Sequence, residues 1–279
     1  MKLLIDIGNT SAKLAIADAA SMDILHYERL HESWEDAIVR LVEDYKVEAI
    51  RLSTVAGRDS RLQAVLESIA LPAIWLTVDY PCPVRPFSGV PRTYGVDRYA
   101  ADIGAMVQDP EHTLLVVDAG TCITYDLISV QGELLGGAIS PGVQLRLNAM
   151  HEHTAQLPLI EVGSRRLKSE GLAGLIGEGR GMPSGLLGHD TASYMLSAAI
   201  NGAQFEIEGY IRRLLRAYPD LHVFCTGGNA FTLSEDIHCP VTFDSHLIFR
   251  GCGQAPEECW AGALGTLGRA GLCADYNMF

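Results

Sequence analysis

The chain has 279 residues, 48% apolar and 20% charged, with 21 basic residues against 34 acidic ones for a formal charge of −13. At about 150 residues per domain this length predicts two domains, and the composition is that of folded chains, which can bury a sizeable core. The acidic balance excludes the broad cationic field that nucleic-acid binding needs, so no nucleic acid is expected as a partner; a small anion such as ATP stays open, because backbone amides, a metal ion and a few placed cations hold it locally.

The amino terminus, MKLLIDIGNT, reaches Asp6 after only three apolar residues. That stretch is too short for a signal peptide or a membrane anchor. No later segment has the ~18 uninterrupted apolar residues that span a bilayer, so a cytoplasmic protein with no membrane partner is expected. The seven cysteines, Cys82, Cys122, Cys225, Cys239, Cys252, Cys259 and Cys273, are odd in number and never form C-x-x-C. They are predicted to be small buried hydrophobes, not a disulfide framework or a zinc ribbon.

In chain order, the first informative element is LLIDIGNT at residues 3–10, a predicted strand that ends in Asp6-x-Gly8-x-Thr10 and is followed by more β-prone sequence, SAKLAIA. Residues 41–81 carry no recognisable chemistry. Next comes Tyr94-Gly95-Val96-Asp97-Arg98, followed by YAADIGAMV. Locally this reads as a helix start with Asp97 near the cap. LVVDAGT at 115–121 then repeats the first pattern, with Asp118-x-Gly120-Thr121 at the strand's end and CITYDLI behind it.

A continuous apolar run before each Asp suits a strand buried on both faces. Glycine allows a tight turn whose N–H groups can approach a phosphate, threonine adds a hydroxyl, and the carboxylate can hold a cation. One Asp-x-Gly is an ordinary turn. Two copies behind matching strands, each reading as a hairpin, point to paired phosphate elements, and the Walker pattern G-x-x-x-x-G-K-[ST] is absent.

Past Ile139-Ser140-Pro141-Gly142 and Thr154-Ala155-Gln156-Leu157-Pro158, glycines 171, 174, 177, 179 and 181 crowd a segment that also holds Arg165, Arg166, Lys168 and Arg180. It reads either as a solvated insertion or as a loop closing on an anion. A long helix is predicted after Thr191, from the spacing of Leu196, Ala199, Ala203, Ile207, Ile211 and Leu214. Thr191 is then an N-cap or a ligand contact. Finally LHVFCTGGNAF offers a strand, the turn Thr226-Gly227-Gly228-Asn229 and a predicted helix, a step that presents amides to a nucleotide. His151 and His153 lie two apart, and a metal pair is not expected of them.

Together these turns resemble the actin and hexokinase superfamily, and Asp6-Ile7-Gly8-Asn9-Thr10-Ser11-Ala12-Lys13 resembles the ATP-binding pattern Asp-x-Gly-Asn-Thr-x-x-Lys of type III pantothenate kinases. Gly95-Val96-Asp97-Arg98 resembles that family's Gly-x-Asp-Arg substrate motif, and Asp118-Ala119-Gly120-Thr121 its second phosphate motif. The resemblance runs over nearly the whole chain. The glycine-rich stretch is longer than the family pattern.

The resemblance implies an α/β fold of two actin-like, RNase H-like lobes, each a mixed sheet flanked by helices, with the active site in the cleft between them. The division is expected as 1–110 and 111–279. It further implies phosphorylation of pantothenate by ATP, with Asp97 as general base and Asp6 to Lys13 together with Thr121 on ATP. Tyr94, Gly95, Val96, Asp97, Arg98 and Thr191 would be on the substrate. Asp118 would hold a monovalent cation, K+ or NH4+, and Mg2+ would accompany the nucleotide. A planar guanidinium such as Arg98 suits a substrate carboxylate. A homodimer is implied too, with the face of the long helix that carries Met195, Ala198 and Ile200 as candidate interface; simple core packing explains that face equally. Other readings are a sugar or hydroxy-acid kinase of the same superfamily, a nucleotide-binding regulatory protein, and a filament former.

Overall fold

The computed structural model describes residues 1–8, 11–54, 60–76, 78, 88–162, 176, 185–229 and 237–254. These group into two compact units, the first drawn from 1–86, 92–104 and 248 onward, the second from 87–91 and 105–247.

The first unit is built on β1 (Lys2–Ile7), β2 (Ala12–Ala17), β3 (Ile24–Leu30), β4 (Ala49–Thr54) and β5 (Ala73–Trp75), in the order β3-β2-β1-β4-β5. β1, β2 and β3 form an antiparallel meander, whereas β4 and β5 run parallel to β1. Two helices, α1 (Trp34–Tyr45) and α2 (Ser60–Ile69), supply the crossovers that parallel pairing requires. Leu3, Ile5, Leu14 and Ile16 point toward Trp34, Ile38, Leu41 and Leu62 on one face. Leu4, Ala15 and Ala17 meet Phe249 and Met22 on the other. Burial on both faces is why the run Leu3-Leu4-Ile5 ahead of Asp6 is continuously apolar instead of alternating. Phe249 belongs to α6 (Leu247–Gln254), which Arg51 of β4 ties to this sheet by donating from Nη1 to the carbonyls of Cys252, at 3.1 Å, and Gly253.

The second unit repeats the plan with β6 (Leu114–Ala119), β7 (Cys122–Ile128), β8 (Leu134–Pro141), β9 (His222–Thr226) and β10 (Val241–Phe243), in the order β10-β9-β6-β7-β8. Again three strands form an antiparallel meander and two are parallel to its first strand. The sequence repeat is therefore a repeat of sheet topology, with β1 and β6 equivalent. α4 (Val143–Glu152) and α5 (Thr191–Leu214) pack Val143, Leu147, Leu196, Ala199, Ala203 and Ile207 on Leu115, Val117, Ile123 and Tyr125. The α/β class with a mixed sheet in each unit is as expected, and each sheet has five strands.

The helical spacing over 191–214 also holds, but one assignment changes. Met195 and Ile200, expected on an interface face, are 3% and 0% exposed within this core, while Ala198 is exposed. A helix against a sheet buries a stripe wider than the strict periodicity of one face, and that width takes in both residues. Among the described residues no helix is long and apolar enough to cross a membrane.

Candidate functional site

In the first unit the β1–β2 register places Asp6 opposite Lys13, and Lys13 Nζ donates to Asp6 Oδ2 at 2.8 Å. Asp6 is 3% exposed. Burial raises its pKa above the usual carboxylate range, opposed by the charge and hydrogen bond of Lys13; the nearby Asp97 charge adds to the rise and Arg29 opposes it. Ile7 and Ala12 close the strand ends as buried apolar neighbours. Gly8 N–H donates to Ser11 O at 3.1 Å, and among the described residues a Cβ on Gly8 would meet that oxygen at 3.8 Å, an ordinary contact. Asn9 and Thr10 lie outside the described residues.

α3 (Val96–Gln108) begins with the second motif. Gly95 O accepts from Tyr99 N–H at 2.9 Å, which makes Gly95 the residue that starts the helix and puts Asp97 in its first turn. Asp97 Oδ1 accepts from the N–H of Arg98 at 2.9 Å. The Arg98 guanidinium lies over the Tyr94 ring, 4.5 Å from its centroid, and Tyr94 Oη donates to the fully buried Asp102 at 2.7 Å. Tyr94 thus holds Arg98 by its ring and is itself held by its hydroxyl. The helix-start and chemical readings of Asp97 are compatible in this geometry.

In the second unit three turns close on one another around the end of β6. Gly120 N–H bonds Cys122 O at 2.9 Å, and Gly142 N–H bonds Thr121 O at 2.9 Å. Asn229 donates its N–H to Ala119 O at 2.9 Å and its side-chain amide to Gly120 O at 3.4 Å. Gly227 has φ +97° and its missing Cβ would fall on Asp118 Oδ1 and Ala119 O, so only glycine fits. The turn read from the sequence as a third nucleotide element is therefore bonded to the second phosphate element; the helix expected behind it, over 230–236, is outside the described residues. Thr121 is exposed at the tip. Asp118 faces Thr124 across the antiparallel ladder, where the equivalent Asp6 faces Lys13.

Thr191 is the first residue of α5 and exposed, but it is not the cap. Asp190 is: its side chain accepts from Ser193 N–H at 2.8 Å, and Ser193 Oγ accepts in return from Asp190 N–H at 3.0 Å. The Ser193 N–H bond is the largest influence lowering the Asp190 pKa. Gly188 fits so tightly against Ser193 that a Cβ would collide with it. Most of the glycine-rich stretch before this point, with Arg165, Arg166, Lys168 and Arg180, lies outside the described residues, as do Cys82, Cys259 and Cys273. His151 donates from Nδ1 to Leu157 O at 2.7 Å, which occupies that nitrogen in a structural bond. Burial pushes the Cys225 and Cys252 thiols up to about 12, the behaviour of inert core residues.

Two supporting residues carried no readable signal or were passed over. Arg29 of β3 donates to Ser11 Oγ at 3.0 Å, a contact set by strand pairing across 18 positions. Asp102 stood four residues beyond Arg98 among alanines, and an acid on the buried side of a helix was a signal in itself.

The architecture is the actin-like α/β fold. A crystal structure from Campylobacter jejuni assigned to the Baf family of transcriptional activators superposes with a TM-score of 0.52, covering 94% of this chain and 99% of that one at 22% identity. The activator of 2-hydroxyisocaproyl-CoA dehydratase from Clostridium difficile with bound ADPNP gives 0.51 over 98% and 99% at 11% identity. Sequence narrows the class. The profile of the type III pantothenate kinases matches residues 2–213. A type III pantothenate kinase of Bacteroides fragilis is 36% identical over 251 residues, 90% of this chain and 95% of the relative. The chain belongs to the type III pantothenate kinase family.

Proposed function

We propose that this protein transfers the γ-phosphoryl group of ATP to the 4′-hydroxyl of pantothenate, giving 4′-phosphopantothenate and ADP, the first step of coenzyme A biosynthesis. The observation that carries the reading is Asp97 in the first turn of α3, in the same compact unit as the buried Asp6–Lys13 pair. Family membership supplies the substrate.

Each residue has a role that its chemistry suits. Asp97 accepts a hydrogen bond from the attacking hydroxyl, orients it, and takes its proton as the new O–P bond forms and the bond to ADP breaks. Arg98, fixed by Tyr94, receives the pantothenate carboxylate; Gly95 and Val96 shape that segment, and Thr191 offers a hydroxyl. The turn from Asp6 through Ile7, Gly8, Asn9, Thr10, Ser11 and Ala12 to Lys13, together with Thr121, takes the ATP phosphates through amides, hydroxyls and one ammonium. Phosphoryl transfer depends on such positioning and charge neutralisation more than on covalent chemistry.

Mg2+ enters with ATP. Asp118, whose Oδ1 lies with the Ala119 carbonyl oxygen against Gly227, offers the hard oxygen donors that suit K+ or NH4+. The proposed homodimer uses Tyr194, Ala198 and Phe205, which share one stripe of α5; Tyr194 and Phe205 are 57% and 55% exposed. We place the protein in the cytoplasm.

ADP release is the test, measured with ATP, Mg2+ and pantothenate in potassium and in sodium buffer. Turnover that requires pantothenate and potassium is expected, Asp97→Asn abolishing it while ATP binding persists and Asp118→Ala erasing the potassium dependence. Near-normal turnover by Asp97→Asn removes Asp97 from its role.

A further inference from the structure

At the opposite end of β6 and β9 from Asp118, two imidazoles and a carboxylate converge. His222 opens β9 and is registered with Leu114, while Asp118 is registered with Thr226. Four residues separate these positions on each strand, about 13 Å at ~3.3 Å per residue. Asp109 directly follows α3, its N–H bonded to Ala105 O at 2.9 Å. Its Oδ1 accepts from His112 Nδ1 at 2.7 Å, and its Oδ2 is bonded to His222 Nδ1. The two rings stack, with centroids 3.7 Å apart and planes 16° apart, so both Nδ1 atoms face the same carboxylate.

The backbone locks this arrangement. His222 N–H donates to Thr113 O at 2.9 Å, and Thr113 donates its N–H and Oγ1 to Asp220 Oδ2 at 3.1 and 3.0 Å. Asp109, Glu111 and Asp220 bring three negative charges to two imidazoles, and both Glu111 and Asp220 act on His112. All three candidate ligands are partly exposed, so an ion has a way in.

We propose that Asp109, His112 and His222 form a divalent transition-metal site, with imidazole and carboxylate donors suited to Zn2+, Co2+ or Ni2+. The three donor atoms lie within 4.8 Å of one another. Bonds of about 2.0–2.2 Å in a tetrahedral set place donors roughly 3.3 Å apart, so the carboxylate must draw back from its hydrogen bonds to the two Nδ1 atoms, a shift that rotations of three partly exposed side chains supply. The metal takes the place of the two Nδ1 protons, each ring keeping one proton on Nε2: a neutral ring moves its proton there and an imidazolium releases one to solvent, and water fills the remaining coordination position. Bound there, it clasps the α3–β6 connection to the start of β9 and stabilises the folded chain by mass action.

The test uses the full chain stripped with chelator and titrated with Co2+ without nucleotide, followed by visible d–d absorption and by the melting temperature. One saturable equivalent, displaced by Zn2+ and raising the melting temperature, is expected. His112→Gln and Asp109→Asn, each checked for native circular dichroism, should weaken binding at least tenfold, and His112→Gln/His222→Gln should eliminate it. His112→Gln lies in a connecting loop and keeps the test valid if the double variant fails to fold. Absence of saturable uptake overturns the site. So does Co2+ binding unchanged by His112→Gln, or a thiolate-to-cobalt charge-transfer band that places the ion on cysteines.

Discussion

Gly95 packs against the carboxylate of Asp97: a Cβ at position 95 would stand 2.5 Å from Asp97 Oδ1 and 3.7 Å from Arg98 Cδ. The glycine leaves the space in which the carboxylate sits. Gly95→Ala is therefore expected to turn Asp97 away from its position without disturbing the core. Turnover with pantothenate should fall by a factor of about 10²–10³, the scale of misplaced general-base catalysis. The Kd for ATP should stay within about twofold by calorimetry.

The Asp6–Lys13 pair predicts opposite effects on stability and on activity. Lys13→Met leaves a buried carboxylate without its ammonium and should destabilise by about 3 kcal/mol in urea unfolding, the lower end for breaking a buried pair, since Lys13 is one-fifth exposed. Asp6→Asn/Lys13→Met removes both charges and should recover most of that loss while turnover remains absent. A double variant as unstable as Lys13→Met would contradict the pairing argument.

Glu206 on α5 accepts from Arg146 Nη2 at 2.5 Å and from Tyr125 Oη at 2.9 Å. Burial acts to raise its pKa, but the nearby Ser140 hydroxyl and the bonds from Arg146 and Tyr125 together outweigh it and hold the carboxyl below its usual range. Since the folded pKa lies below the unfolded one, its stabilisation is present above the unfolded value of about 4.3 and is lost as pH falls through the lower folded value. Glu206→Gln should lower unfolding free energy by about 1 kcal/mol at pH 7. That difference should shrink toward zero below about pH 4.

Oligomeric state is read by light scattering. Phe205→Glu places a charge in the exposed α5 stripe without touching Met195 or Ile200 in the core, and should convert the proposed dimer to a folded monomer. Met195→Glu, in contrast, should unfold the second unit, because it buries an unpaired charge.

Much of this molecule was legible in its one-dimensional pattern. The two apolar runs ending in Asp6 and Asp118, each with a β-prone return, fixed two equivalent hairpins, because a strand buried on both faces must be apolar throughout. The helix after Thr191 followed from period alone. Local pattern could not say which residue caps that helix, since Asp190 and Thr191 are both competent and the choice lies with Ser193 and the close packing of Gly188.

Nor could periodicity decide that Met195 and Ile200 are core, because the width of a helix's buried stripe depends on the sheet beneath it. Long-range pairing decided the rest. It brought Arg29 to Ser11, set the TGGN turn against the carbonyls of Ala119 and Gly120, and joined His222 to Asp109 across 113 positions. A sequence specifies which side chains can meet; the register of distant strands, fixed only when the sheets form, determines which ones do.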